Sequence, residues 1–194
     1  MKTTQLIIVV LLFVGLTYSA VAQERWMAEF RPGISFPTQK LDGADLTTGF
    51  GFEAKVSYYL MPHLSAYAGW GWNQFKIKDT NLNDPKIDVE EAGYTFGLEL
   101  TIPIGTPPLS YFVNGGAVYN HIELENYTVQ SSVDTDHGLG WQIGAGIAYE
   151  FVENWKLRPE IRYRSLSREL KIENNNIDLT LNYVGFGIGV SANF

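Results

Sequence analysis

Ten charged residues of this chain stand at every second position or singly among apolar and small neighbours. They are Glu29 and Arg31, Glu53 and Lys55, Glu99, Glu150, and the run Arg158, Glu160, Arg162, Arg164. Residues two apart on an extended strand share one face, so each group points a mixed set of charges in one direction. Charges withdrawn from water have to find opposite charges or hydrogen bonds, and five acids against five bases is a balanced set. The chemistry this pattern offers is ion pairing, either as a gate for ions or water or as polar packing.

Other chemistry has little material. The chain has no cysteine, which removes disulfides, thiolate metal sites and cysteine nucleophiles together. Its histidines are His63, His121 and His137. The last two flank an acidic segment containing Glu123, Asp134 and Asp136. One carboxylate-rich loop is an unspecific metal signal, so these read as solvated loop residues, with no metal site and no cofactor expected. A formal charge of −7 with no run of lysine or arginine argues against nucleic acid, which needs a concentrated basic patch.

The elements that must position the charges are strands. Strict alternation of apolar with small or polar residues marks eight segments, with no helical period between them. They run over residues 26–36, 50–60, 64–73, 92–104, 111–120, 139–151, 157–164 and 184–194. The connections alternate in character. Met61-Pro62-His63, Gly105–Leu109 and Val152–Trp155 are tight, whereas Pro37–Thr48, Lys78–Lys86 and Glu125–Asp136 are long and polar. Near Phe75, Ile122, Leu166 and Leu181 the alternation slips phase, each time toward a long-loop end, as a bulge or a strand leaving a bilayer would do.

Which face looks outward separates a membrane barrel from a soluble one. A soluble barrel turns its polar face to water and fills it with charge. Here that face is mostly Gly, Ser, Asn and Thr, and both 138–149 and 184–194 lack any charged residue. Small residues suit the crowded interior of a narrow barrel. The apolar face collects aromatic rings near strand ends. Trp26, Tyr58, Tyr111, Tyr149, Trp155 and Phe194 fall at the short-turn rim, with Trp72 and Trp141 toward the other. Rings prefer the headgroup level of a bilayer. The reading is therefore an all-β, eight-stranded, antiparallel up-and-down transmembrane barrel, and packing becomes the preferred role for the inward charges.

The first residues have the form of a secretory signal: Lys2, an apolar run from Leu6 to Leu16, and small residues at Ala20 and Ala22. Residues 1–22 are expected to be removed, leaving a barrel domain over 23–194. Losing Lys2 and no acid takes the formal charge from −7 to −8. The last segment alternates Phe186, Ile188 and Val190 with small residues and ends on Phe194. That pattern resembles the assembly signal of Gram-negative outer-membrane proteins.

Residues 23–194 as a whole resemble the small OmpA-like and OmpX-like barrels, the outer-membrane protein β-barrel domains. The resemblance implies outer-membrane lipid and lipopolysaccharide as surroundings, insertion by the barrel-assembly machinery, and a monomer. It implies a structural or surface-interaction role, with a narrow pore as the alternative. The periplasmic domain that OmpA relatives often carry after the barrel is not expected here. Residues 160–167 also resemble the active strand of eight-stranded lipid A deacylases, which needs a histidine two residues before its serine. Here Ser165 precedes Ser167, the base is missing, and no enzyme is expected.

Overall fold

The computed structural model describes residues 25–41, 43–77, 87–126, 131–172 and 175–194. Their strands are β1 (Trp26–Pro37), β2 (Gly49–Met61), β3 (Leu64–Lys76), β4 (Ile87–Pro103), β5 (Leu109–Asn126), β6 (Ser131–Asp134), β7 (Gly138–Val152), β8 (Trp155–Ile172) and β9 (Asn175–Asn193). The expected leader, 1–22, lies outside the described residues.

Eight of these strands close an antiparallel barrel in which each pairs with its sequence neighbour and β9 returns to β1. Reciprocal backbone bonds between Trp26 and Phe194, 3.0 and 2.9 Å, finish the seam at the short-turn rim. The four-residue β6 was not expected from the sequence. It lies against β5 from Glu123 outward, beyond the point where β5 pairs with β7.

The register fixes the shape. From Met27 the pairing runs through Ser57, Tyr67, Gly97, Gly116, Gln142, Arg164 and Tyr183, and returns to β1 at Pro37. One circuit therefore climbs ten residues along the starting strand. With usual strand rise and spacing, that stagger tilts eight strands by about 40° from the barrel axis.

Two prolines interrupt this ladder on one side only. Pro32 pairs with Phe52 of β2, but the β1–β9 pairing passes from Phe30 to Gly33. Pro159 pairs with Ile188 of β9, but the β7–β8 pairing passes from Glu160 to Leu157. Proline has no N–H to donate, so each strand keeps the neighbour that needs none from it.

Burial is inverted relative to a soluble protein. Ile143 is 51% exposed and Phe96 46%, whereas Glu99 and Arg158 are each 1% exposed. Apolar side chains cover the outside and charges fill the inside. Several inward glycines make the room. A Cβ on Gly144 would lie 2.6 Å from Glu160 Oε1 and 2.9 Å from Asn114 Oδ1.

The strands reach further toward the long loops than their alternation suggests, and of the two explanations for the slip the bulge does not occur. Phase is unbroken through Phe75, Ile122, Leu166 and Leu181, and the register shifts lie instead at the short turns, between Tyr59 and Met61 and between Glu150 and Val152. What changes is the polarity of each face. Those four side chains point inward and pack with Val89, Val118, Leu179 and Tyr183 into an apolar layer across the barrel. Leu41, from the first long loop, is buried in the same layer. Glu125, expected to open the third long connection, lies within β5, and β4 begins at Ile87 and so includes Asp88 and Glu90.

Candidate functional site

The lumen is built by the inward rows of the strands, in phase with Glu29 and Arg31 on β1, Glu53 and Lys55 on β2, and Glu99 on β4. β8 contributes Arg158, Glu160, Arg162 and Arg164. Eight of these nine side chains meet in two stacked rings of alternating charge, and Arg164 lies above them.

The ring nearer the short turns joins Glu29, Lys55, Glu99 and Arg158. Lys55 Nζ lies 3.2 Å from Glu29 and 2.9 Å from Glu99. Arg158 completes it, with Nε 3.1 Å from Glu29 and Nη2 2.5 Å from Glu99. The second ring joins Arg31, Glu160, Arg162 and Glu53. Arg31 lies 2.6 Å from Glu160 and 4.0 Å from Glu53. Arg162 lies 2.9 Å from Glu160 and 2.6 Å from Glu53. Arg31 also donates to Glu29, which connects the two rings.

Above the second ring, Arg164 donates to Glu53 at 3.0 Å and to Glu91 at 2.8 Å. Glu91 accepts from Asn73 at 2.9 Å, Asn120 at 2.6 Å and the Tyr183 hydroxyl at 2.7 Å. A cavity of about 50 Å³ beside Arg162, Arg164 and Tyr183 has room for a few waters. Apolar material closes both ends. The layer around Phe75 lies on the long-loop side. On the other, Phe112 lies under the Arg158 guanidinium, 3.9 Å from ring centre to Cζ, with Met27 beside it. Beyond, a vestibule of about 470 Å³, lined by Arg25, Tyr59, His63 and Lys156 among others, opens at the short turns.

One expected member stands apart. Glu150 has the inward phase but lies at the end of β7, half-buried, 3.8 Å from Lys156 and bonded to the Asn154 amide. Glu91 takes its place as the fifth acid. It belongs to the same row of β4 as Gly93, Thr95 and Glu99, and continuing that parity past Ala92 would have found it. Gln142 and Tyr183 also lay beyond reasoning from charge pattern alone, whereas Arg168 continues the inward row of β8 through Leu166. Arg168 spends its guanidinium on the carbonyls of Asn120 and Leu139, 3.0 Å each, and on the Asn120 side chain.

On the outside, Trp26 meets Tyr58 with ring centres 4.8 Å apart, and Trp141 meets Tyr163 at 5.4 Å. Tyr111, Tyr149 and Trp155 are exposed on the short-turn half. Trp72 is half-buried and donates its indole N–H to Glu90 at 2.9 Å. Phe186, Ile188 and Val190 face outward, while Phe194 is half-buried at the seam. Ser165 and Ser167 alternate with the inward Arg164, Leu166 and Arg168, so they belong to the outer face of β8.

A closed barrel with charge inside and apolar side chains outside is a membrane barrel, and residues 8–194 match the outer membrane protein beta-barrel domain. The chain belongs to that family. Its place is the outer membrane. No curated protein sequence matches this family member.

Solved structures share its fold. Neisserial surface protein A superposes with a TM-score of 0.61 at 13% identity, covering 90% of this chain and 100% of that one. OprG from Pseudomonas aeruginosa gives 0.59 at 15% identity, covering 88% and 96%. Ail of Yersinia pestis, in complex with the heparin analogue sucrose octasulfate, gives 0.51 at 14%, covering 86% and 99%. Identities this low speak for the fold alone.

Proposed function

We propose that this barrel is a non-conducting outer-membrane protein whose role is structural and whose long-loop rim meets the cell's surroundings. The observation that carries this reading is the pair of alternating charge rings between the apolar layer around Phe75 and the Phe112 and Met27 side chains against Arg158. An ion crossing the lumen would have to part several buried ion pairs and then an apolar layer. Breaking a buried pair is expensive, because it leaves an uncompensated charge. The rings then serve to hold strands from different sides of the barrel in one register.

Lipid and lipopolysaccharide are the partners of the outer face, and the barrel works as a monomer. The row Phe186, Ile188, Val190 and the terminal Phe194 serve the barrel-assembly machinery during insertion. Acids such as Asp45, Glu123, Asp134 and Asp136 on the rim favour cations or basic partners over a polyanion like the one bound to Ail. No catalytic role is proposed for Ser165 or Ser167, which lack a histidine base on their strand.

Planar-bilayer recording of the refolded protein tests the reading. It predicts no discrete conductance from the wild type. Conductance steps that change with Arg162→Glu or Glu99→Lys would replace it with a narrow pore. Unaltered lipid A mass spectra with and without the protein are expected on the same reading.

A further inference from the structure

The outer wall at the long-loop rim carries a pair of histidines with no part in the lumen. His121 belongs to the outward row of β5, two residues beyond Tyr119, and His137 immediately precedes β7. His121 Nδ1 and His137 Nε2 are 3.1 Å apart. The ring centres lie 4.5 Å apart with planes inclined by 49°, and Tyr119 backs His137 at 5.3 Å.

The segment that presents His137 is held independently of the rings. Thr135 donates its amide to the Ile122 carbonyl at 3.0 Å and accepts the Ile122 amide on its hydroxyl at 2.9 Å. This pair of hydrogen bonds to the backbone next to His121 preorganises the two rings.

A straight N–H···N bond of this length would place the ring centres about 5.4 Å apart, the bond plus two ring radii. Two nitrogens at this separation that converge on one ion at about 2.1 Å subtend about 95° there, nearer the right angle of a tetragonal site than a tetrahedral one. The ring centres, 4.5 Å apart, are closer than a straight hydrogen bond places them, so the two nitrogens converge toward one side.

We propose that His121 and His137 form a two-nitrogen chelate for a first-row transition-metal dication such as Zn²⁺ or Cu²⁺. Imidazole suits these ions. His121 would bind through Nδ1 and keep its proton on Nε2, and His137 would do the reverse. Water fills the remaining positions. Glu123 and Asp134, paired across β5 and β6, and Asp136 beside His137 make the local potential favourable for a cation. The ion ties the segment before β7 to the wall where β5 exchanges β7 for β6 as its neighbour.

The test uses the full-length barrel refolded in detergent micelles, titrated with Zn²⁺ by calorimetry and loaded with Cu²⁺ for electron paramagnetic resonance. The wild type should bind one equivalent, and the Cu²⁺ spectrum should carry coupling to two nitrogens. His121→Gln and His137→Gln should each weaken binding at least tenfold. His63→Gln, in the short turn between β2 and β3, should leave it unchanged. Heat-modifiable gel mobility confirms that each variant is folded. Absence of saturable binding, a single-nitrogen spectrum, or folded His121→Gln and His137→Gln variants with wild-type affinity would reduce the pair to a hydrogen bond and overturn the proposal.

Discussion

Tyr183 on β9 donates its hydroxyl hydrogen to Glu91 on β4 at 2.7 Å, across the full width of the barrel. β4 and β9 are diametrically opposed, four strands apart in either direction around the closed sheet. Arg164 approaches the same carboxylate from β8, Asn73 from β3 and Asn120 from β5. One glutamate thus gathers four other strands.

Removing only the Tyr183 hydroxyl tests that link. Tyr183→Phe should cost about 1.5–3 kcal/mol, the usual range for a hydrogen bond to a charged group. Glu91→Ala should cost more, about 3–5 kcal/mol, because it leaves Arg164 short of a partner. Urea unfolding in lipid vesicles, followed by tryptophan fluorescence, measures both.

The ring nearer the short turns predicts a non-additive pair. Glu99→Gln leaves Lys55 and Arg158 sharing Glu29 alone and should destabilise by about 3–5 kcal/mol. Adding Lys55→Met leaves the neutral pair Glu29–Arg158 and should recover part of that loss. A double mutant less stable than the sum of the singles would contradict a charge-balanced ring.

Phe75 distinguishes an inward apolar layer from a strand end in water. It is fully buried and packs on Tyr183, with ring centres 5.2 Å apart. Phe75→Ala should cost about 3–5 kcal/mol, as for a large core side chain. A change within about 0.5 kcal/mol, as at a free surface position, would remove the layer from the account. Equilibrium unfolding of the variant decides between them.

The outer face predicts a depth dependence. Ala145 lies midway between Trp141 and Tyr149 on the outward row of β7, so Ala145→Arg should cost about 2–4 kcal/mol, as for a basic residue at the bilayer midplane. Leu139→Arg, beyond the Trp141 ring and 69% exposed at Leu139, should cost about 0–1 kcal/mol, as near an interface. Unfolding in bilayers reads the difference, which detergent should blunt.

Much of the architecture was legible in the residues themselves. Alternation located eight barrel strands, and the scarcity of charge on the polar face indicated which face was inside. Toward the long loops the same alternation left two explanations open, a bulge or a strand leaving the bilayer. The unbroken register at Phe75, Ile122, Leu166 and Leu181 removes the bulge. Outside the bilayer the faces exchange polarity, and an apolar side chain there hides in the lumen. Glu91 was missed for a related reason: β4 begins at Ile87, several residues before its apolar outer row does.

Side-chain parity is a local property of the pleat, so the chain by itself determined which residues face inward, Glu150 included. Depth along the barrel is not local. It follows from the climb of ten residues per circuit, set only when β9 closes on β1. That closure placed Glu150 at the mouth, put Arg158 against Glu99, and carried Tyr183 across to Glu91. Only the tertiary structure could make those assignments, because each depends on the register of every strand between the partners.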